Sequence, residues 1–150
     1  MTRRSALLVP LAAALLAASC GRAPEPKAFA TRAEAGPAVP AWVPPPAADL
    51  KLQEEARGAF WLRFRLDPAA RPALEAALLR IPDAQVATLT FRPPRGVSWW
   101  FRGLVQVVPA RETTVVAADV FSGRGEAVPR GTFVAFDRAS DAVYAWSAGR

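Results

Sequence analysis

Residues 59–66, AFWLRFRL, form the stretch that decides the fold. Four apolar residues alternate with a second set, so a period of two puts each set on its own face of a β-strand. The first face carries Phe60, Leu62, Phe64 and Leu66, and the second carries Trp61, Arg63 and Arg65. The two arginines predict a solvent-facing second side, as in an antiparallel sheet.

The segment that follows this strand has a helical period. Its apolar residues fall at i, i+3, i+4 and i+7, which places them on one helix face; they are Leu74, Ala77, Leu78 and Ile81. Pro72 fits only the first turn of a helix, and the residue before Pro82 avoids helical angles. The pattern therefore predicts a helix over 71–81.

Several later segments read as strands because they alternate or are rich in β-branched residues. These segments are 85–91, 104–108, 113–121 (with a helix as the alternative), 131–137 and 142–147. The last two are separated by a loop of hairpin length. The expected fold is α+β: a mostly antiparallel sheet of four to six strands, with the 71–81 helix packed on one face.

The beginning of the chain has a different character. Arg3 and Arg4 precede an uncharged apolar run over 6–18, which is shorter than the ~20 residues of a spanning helix. Small residues then lead to the single cysteine, Cys20. This arrangement resembles the signal peptide and lipobox of a bacterial lipoprotein, a family in which the chain is cut before the cysteine and the cysteine carries the lipid.

The resemblance implies a lipidated Cys20 that anchors the protein to a membrane of the cell envelope. An aspartate after the cysteine retains such proteins in the inner membrane of enteric-type bacteria. Gly21 stands there instead, which implies the outer membrane, facing the periplasm. The alternative is an ordinary secretory signal cut elsewhere, which leaves Cys20 as a free thiol.

The composition changes again between the leader and the first strand. Seven prolines fall in 21–48, a composition that predicts a disordered linker. Phe29, Trp42 and Val43 are its apolar exceptions, and docking of these residues on the domain is left open. The segment 49–58 is a charged lead-in with one helical turn. The expected organisation is a signal peptide at 1–19, Cys20 plus the linker at 20–48, and a single globular domain at 49–150.

The residue inventory excludes several kinds of chemistry. The chain has 19 basic and 13 acidic residues, a formal charge of +6, and no histidine. Without histidine, Ser–His and Cys–His catalytic pairs are impossible, and a zinc site lacks its usual ligands. The sequence therefore predicts a non-enzymatic protein without a cofactor or metal.

Three consecutive aromatic residues, Trp99, Trp100 and Phe101, are a candidate partner-binding site. Neighbouring residues of an extended chain point to opposite faces, so Trp100 is predicted to be exposed while Trp99 and Phe101 pack together. The alternative is a second small core. On the first interpretation the protein binds an envelope protein, and this is the leading functional expectation.

The second expectation concerns anions. Arginines concentrate in the middle of the chain, and five are candidates for binding envelope polymers or lipid headgroups: Arg63, Arg65, Arg92, Arg95 and Arg102. The alternative is that they form a solvated face. No nucleic acid partner is expected outside the cytoplasm.

Overall fold

The computed structural model describes residues 25–55, 58–86, 88–91, 99–100, 105–107, 113–115 and 117–147. Within them lie three short helices, α1 (Arg32–Ala35), α2 (Arg71–Ala76) and α3 (Asp83–Val86), and a 3-10 turn at Gly36–Ala38. The strands are β1 (Lys27–Thr31), β2 (Ala48–Glu54), β3 (Phe60–Arg65), β4 (Leu78–Arg80), β5 (Thr90–Phe91), β6 (Val105–Val107), β7 (Thr113–Val115), β8 (Ala118–Gly123), β9 (Thr132–Asp137) and β10 (Ala142–Ser147).

Seven of these strands form one antiparallel sheet in the order β1-β2-β3-β10-β9-β8-β4. A second sheet has the order β5-β7-β6. The α+β class is confirmed in this coarse sense, and so is the β9–β10 hairpin. The main sheet is larger than the expected four to six strands because β1, β2 and β4 come from segments that were predicted to be linker, lead-in and helix.

The alternation within β3 is confirmed. Leu62 and Phe64 are completely buried in a core on the first face of the sheet, which we call face A. Leu74 of α2 and residues of the 32–47 segment complete this core. The opposite side, face B, carries Trp61 and Arg63, and the prediction that this side faces solvent is wrong at Trp61, which is 4% exposed in a second apolar core.

The prediction of a disordered linker over 20–48 is wrong from residue 27 onward. β1 pairs with β2, and the segment that follows buries Ala35, Val39, Val43 and Ala47 in the face A core. Its prolines order the chain because their fixed φ favours turns. The carbonyl of Pro40 accepts from Val43 N–H at 3.1 Å, and the carbonyl of Pro44 accepts from Ala47 N–H at 3.0 Å.

The predicted 71–81 helix is also too long. α2 ends after Ala76, and Leu78 begins β4, which pairs antiparallel with the end of β8. The strand still buries Leu78, at 1% exposure, so the apolar side chain that favoured a longer helix reaches the same core from an extended backbone. Sheet pairing has therefore overridden the helical period.

Two predicted strands are divided differently. The 85–91 segment contains the end of α3 and only the short β5. The 113–121 segment splits into β7 and β8, because Ala117 has a left-handed φ of 54° and turns the chain between them. The 49–58 lead-in contains most of β2 instead of a helical turn.

Candidate functional site

Face B has its own apolar core, which overturns the prediction of an exposed Trp100. Trp100 is completely buried and Trp99 is 8% exposed. The Trp100 ring makes edge-to-face contacts with Tyr144 and Trp146, at centroid distances of 5.1 and 6.2 Å. Trp99 packs edge-to-face on Trp100 at a centroid distance of 5.6 Å, so both indoles belong to this core, and the second-core alternative is the one observed.

Beside this core, face B carries two cations on adjacent strands. Lys51 of β2 lies opposite Arg63 of β3, and Arg63 lies opposite Tyr144 of β10. We call Lys51, Arg63 and Tyr144 the basic rung. The rung continues to the edge of the sheet at Ala28, which pairs with Lys51 and has a small, exposed side chain, and Lys51 and Arg63 are themselves partly exposed.

Placing two cations directly opposite each other costs stability. The Arg63 guanidinium has the uncharged Tyr144 hydroxyl as a hydrogen-bond partner, and its buried Nε has no partner among the described residues. No ion pair of Lys51 or Arg63 closer than 4.0 Å occurs within the described part of the chain either. The two cations of the basic rung therefore lack an ion pair in the described residues, although the pKa of Asp141 is lowered by its hydrogen bond from Arg65 and also by the charge of Arg63.

An open cavity of about 450 Å³ adjoins the basic rung. We call it the edge cavity. It is lined by Ala28, Phe29, Ala30, Asp49, Leu50, Lys51 and Arg63. Two of these residues are cationic and one is anionic, and the remainder are apolar. The side chains of Phe29 and Leu50 pack into the face A core. The charged groups of Asp49, Lys51 and Arg63 are therefore the contacts that the cavity offers a small ligand.

Tyr144 supplies a neutral phenol at the inner end of the basic rung. Burial raises the pKa of Tyr144, and this effect outweighs the opposing influence of the Arg63 guanidinium. The phenol therefore stays protonated at neutral pH and is available as a hydrogen-bond donor or acceptor beside Arg63.

Arg65, another predicted anion-binding residue, is occupied by two carboxylates. Its Nε and Nη2 donate to Asp141 at 2.9 and 2.7 Å, and its Nη1 donates to Asp49 at 3.3 Å. The hydrogen bonds from Arg65 lower the pKa of Asp141. This double pairing leaves Arg65 little attraction for an external anion, and the prediction of an anion site there loses its support.

A third group of arginines surrounds Asp119 of β8. Arg71 and Arg138 donate to its two oxygens at 2.7 and 3.1 Å, and Arg80 lies 3.3 Å away. Asp83 pairs with Arg138 and Arg80, and Glu75 pairs with Arg71. We call these three arginines and three carboxylates the Asp119 network. Its charges cancel, and it ties α2, β4, α3 and β8 to the end of β9.

Burial alone would raise the pKa of Asp119. Hydrogen bonds from Arg71 and Arg138 outweigh that effect, and the pKa of Asp119 is lowered below its ordinary value. The Arg71 guanidinium also lies over the Phe136 ring, 4.5 Å from its centroid. The Asp119 network is thus an ion-pair network that links secondary-structure elements, as expected of a structural role.

Five predicted site residues lie outside the described part of the chain: Cys20, Arg92, Arg95, Phe101 and Arg102. The sequence argument missed Asp49 and Lys51 because it assigned 49–58 to a helical lead-in. The alternation of Leu50 and Leu52 with Lys51 was the available signal, since it has the period of a strand.

Gln53 was missed for the same reason. It is 3% exposed on face B, and neither atom of its amide group has a partner among the described residues.

Comparison with protein-family models, with curated proteins and with solved structures gave no match. In the described residues, no group of three or more Asp, Glu, Cys or His side chains is placed to hold a metal ion. The described helices are all too short or too polar to cross a membrane.

Proposed function

We propose that the protein is a non-enzymatic, lipid-anchored module of the cell envelope that binds an anionic ligand at the basic rung. One observation carries the proposal: Lys51 and Arg63 face each other, neither forms an ion pair within the described residues, and both border an open cavity. The other face B arginine of β3, Arg65, is neutralised, and the arginines around Asp119 are paired as well. The basic rung differs from these arginines, because its two cations have no ion pair among the described residues and border a cavity.

The choice of an anion over a protein partner follows from the aromatic residues. The leading expectation required an exposed Trp100, and burial of that ring removes its main support. Neither the charge nor the volume of the edge cavity needs an aromatic anchor. An anionic ligand is therefore favoured over a protein partner.

Anchoring rests on the lipobox resemblance and belongs to the same proposal. A lipid on Cys20 would hold the basic rung close to a membrane surface, facing the periplasm if the outer membrane is the destination. Replacing Cys20 by Ala should release the protein from the membrane fraction or leave an unprocessed precursor. A mature-length product that still fractionates with membranes would contradict lipidation at this residue.

The binding claim is tested with inorganic phosphate as the probe. Backbone amide shifts of the mature chain should move saturably at residues 51 and 63 on addition of phosphate, and the effect should weaken at high ionic strength. Arg63→Gln should abolish the response. Arg130→Gln is the matched control, because Arg130 is exposed and donates to the backbone carbonyl of Arg124, away from the cavity.

Two results would contradict the proposal. One is the absence of saturable shifts at residues 51 and 63. The other is an equal loss of binding in Arg63→Gln and Arg130→Gln, which would indicate attraction to the overall positive charge of the chain.

A further inference from the structure

The edge cavity contains a carboxylate as well as the two cations. Asp49 lies two residues before Lys51 in β2, roughly 7 Å along the strand. A simple anion would be repelled by this carboxylate while it is attracted to Lys51 and Arg63. The cavity is therefore better matched to a ligand that carries both a negative and a positive charge than to a simple anion.

The carboxylate of Asp49 is held only weakly by its partner, Arg65. Arg65 holds Asp141 through two short contacts of 2.7 and 2.9 Å, whereas its contact with Asp49 is 3.3 Å long. The Asp49 side chain is also 61% exposed, so water screens this pair. A ligand cation can take the place of Arg65 without leaving Arg65 unpaired.

The backbone at Asp49 is unusual in a way that fits a binding position. Asp49 has a left-handed φ of 49°, at the point where the register between β2 and β3 shifts between Ala48 and Lys51. Bulges in a strand redirect a side chain, and residues with left-handed angles cluster at ligand sites. The irregularity falls on the one acidic residue of the cavity.

From this arrangement we infer that the edge cavity recognises a zwitterion that carries a phosphate and a primary ammonium group. The phosphate binds Lys51 and Arg63, and the ammonium donates to Asp49. The inference rests on the proposed function and narrows its ligand from any anion to this class. A free phosphorylated amine and the headgroup of an aminophospholipid share the required chemistry.

The test compares O-phosphoethanolamine with inorganic phosphate by titration calorimetry on the mature chain. Because a charge-assisted hydrogen bond is gained, O-phosphoethanolamine should bind about tenfold more tightly than phosphate. Asp49→Asn should remove this preference, while phosphate should bind at least as tightly as before because a repelling carboxylate is gone. Asparagine tolerates left-handed angles, so the backbone of the variant keeps its conformation, and an unchanged melting temperature verifies this.

Vesicles distinguish the two sources of the ligand. The mature chain carrying Cys20→Ser, which lacks the lipid, is mixed with phosphatidylethanolamine vesicles and with phosphatidylcholine vesicles, whose headgroup has no N–H donor. Selective flotation with phosphatidylethanolamine, lost in Asp49→Asn, assigns the site to a lipid headgroup. Binding of soluble O-phosphoethanolamine without flotation assigns it to a free small molecule. Either result supports the zwitterion.

Failure of this inference is separable from failure of the proposed function. Equal affinities of the wild type for O-phosphoethanolamine and phosphate would overturn the zwitterion and leave the anion site standing. Binding of neither probe would overturn both.

Discussion

The Asp119 network and the basic rung place cations in opposite electrostatic conditions. Around Asp119, three arginines meet three carboxylates and the charges cancel. At the basic rung, Lys51 faces Arg63 across neighbouring strands, and the buried Nε of Arg63 has no partner in the described part of the chain. The number of arginines in a sequence therefore does not predict an anion-binding site. What indicates such a site is an arginine whose guanidinium has no carboxylate partner in the folded protein.

The basic rung lies beside the face B core, and its contrast with the Asp119 network requires that this core is closed. Trp100 is completely buried against Tyr144, the neighbour of Arg63. Trp100→Ala should lower the free energy of unfolding by about 3–5 kcal/mol, as deletion of a core aromatic ring does. Chemical denaturation measures this directly. A loss below about 0.5 kcal/mol, typical of surface positions, would mean that face B is not closed here and that Arg63 is an ordinary solvated residue.

The next effect concerns the compensated group. Asp119→Asn removes the carboxylate shared by Arg71, Arg80 and Arg138 and should cost about 2 kcal/mol of stability, because three guanidinium groups then lose a charged acceptor. Asp83→Asn is the matched control. Its side chain is 65% exposed, so the loss should stay below about 1 kcal/mol. Equal effects of the two substitutions would show that Asp119 is no more central than a surface carboxylate.

The pH dependence of stability should also reveal the special role of Asp119. The folded-state pKa of Asp119 lies below its unfolded value, so its contribution to stability is present at neutral pH. The contribution begins to fall near the unfolded pKa of about 3.9 and is lost as the pH drops through the folded value. Stability measured between neutral pH and this acid range should therefore decline less in Asp119→Asn than in the wild type. Parallel curves would contradict a perturbed Asp119.

The smallest effect should have the opposite sign. Lys51→Gln removes one of two like charges that face each other, so the protein without ligand should keep its stability or gain up to about 0.5 kcal/mol. Denaturant titration in a buffer of weakly binding anions measures this change. A clear loss of stability would reveal that Lys51 is compensated after all, and the contrast with the Asp119 network would disappear.

The parts of the fold that the sequence predicts well are those where one pattern dominates. The alternation in 59–66 predicts the two faces of β3, and the terminal hairpin follows from its two alternating segments. The 71–81 segment is different, because Leu78 reaches the same core from a helix or from a strand and only pairing with β8 decides between them. That information is distributed over distant residues.

The N-terminal segment fails for another reason. Proline density alone favours a linker, but each proline also presets a turn, and Val43 and Ala47 supply the buried surface that holds these turns on the sheet. At the candidate site, the sequence correctly marks Arg63 as a face B cation. It does not reveal which arginines have carboxylate partners, since Arg65 meets Asp141 only through the pairing of β3 with β10.

The central claim is that an external anion binds Arg63 and supplies the negative charge that this arginine lacks as a direct partner in the described part of the chain. The most direct test is the melting temperature of the wild type and of Arg63→Gln as phosphate replaces chloride at constant ionic strength. A ligand that binds only the folded state raises stability by mass action, so the melting temperature of the wild type should rise more with phosphate than that of Arg63→Gln, which keeps only the general stabilising effect of phosphate. Parallel rises in the two proteins, or a level response in both, would contradict the account.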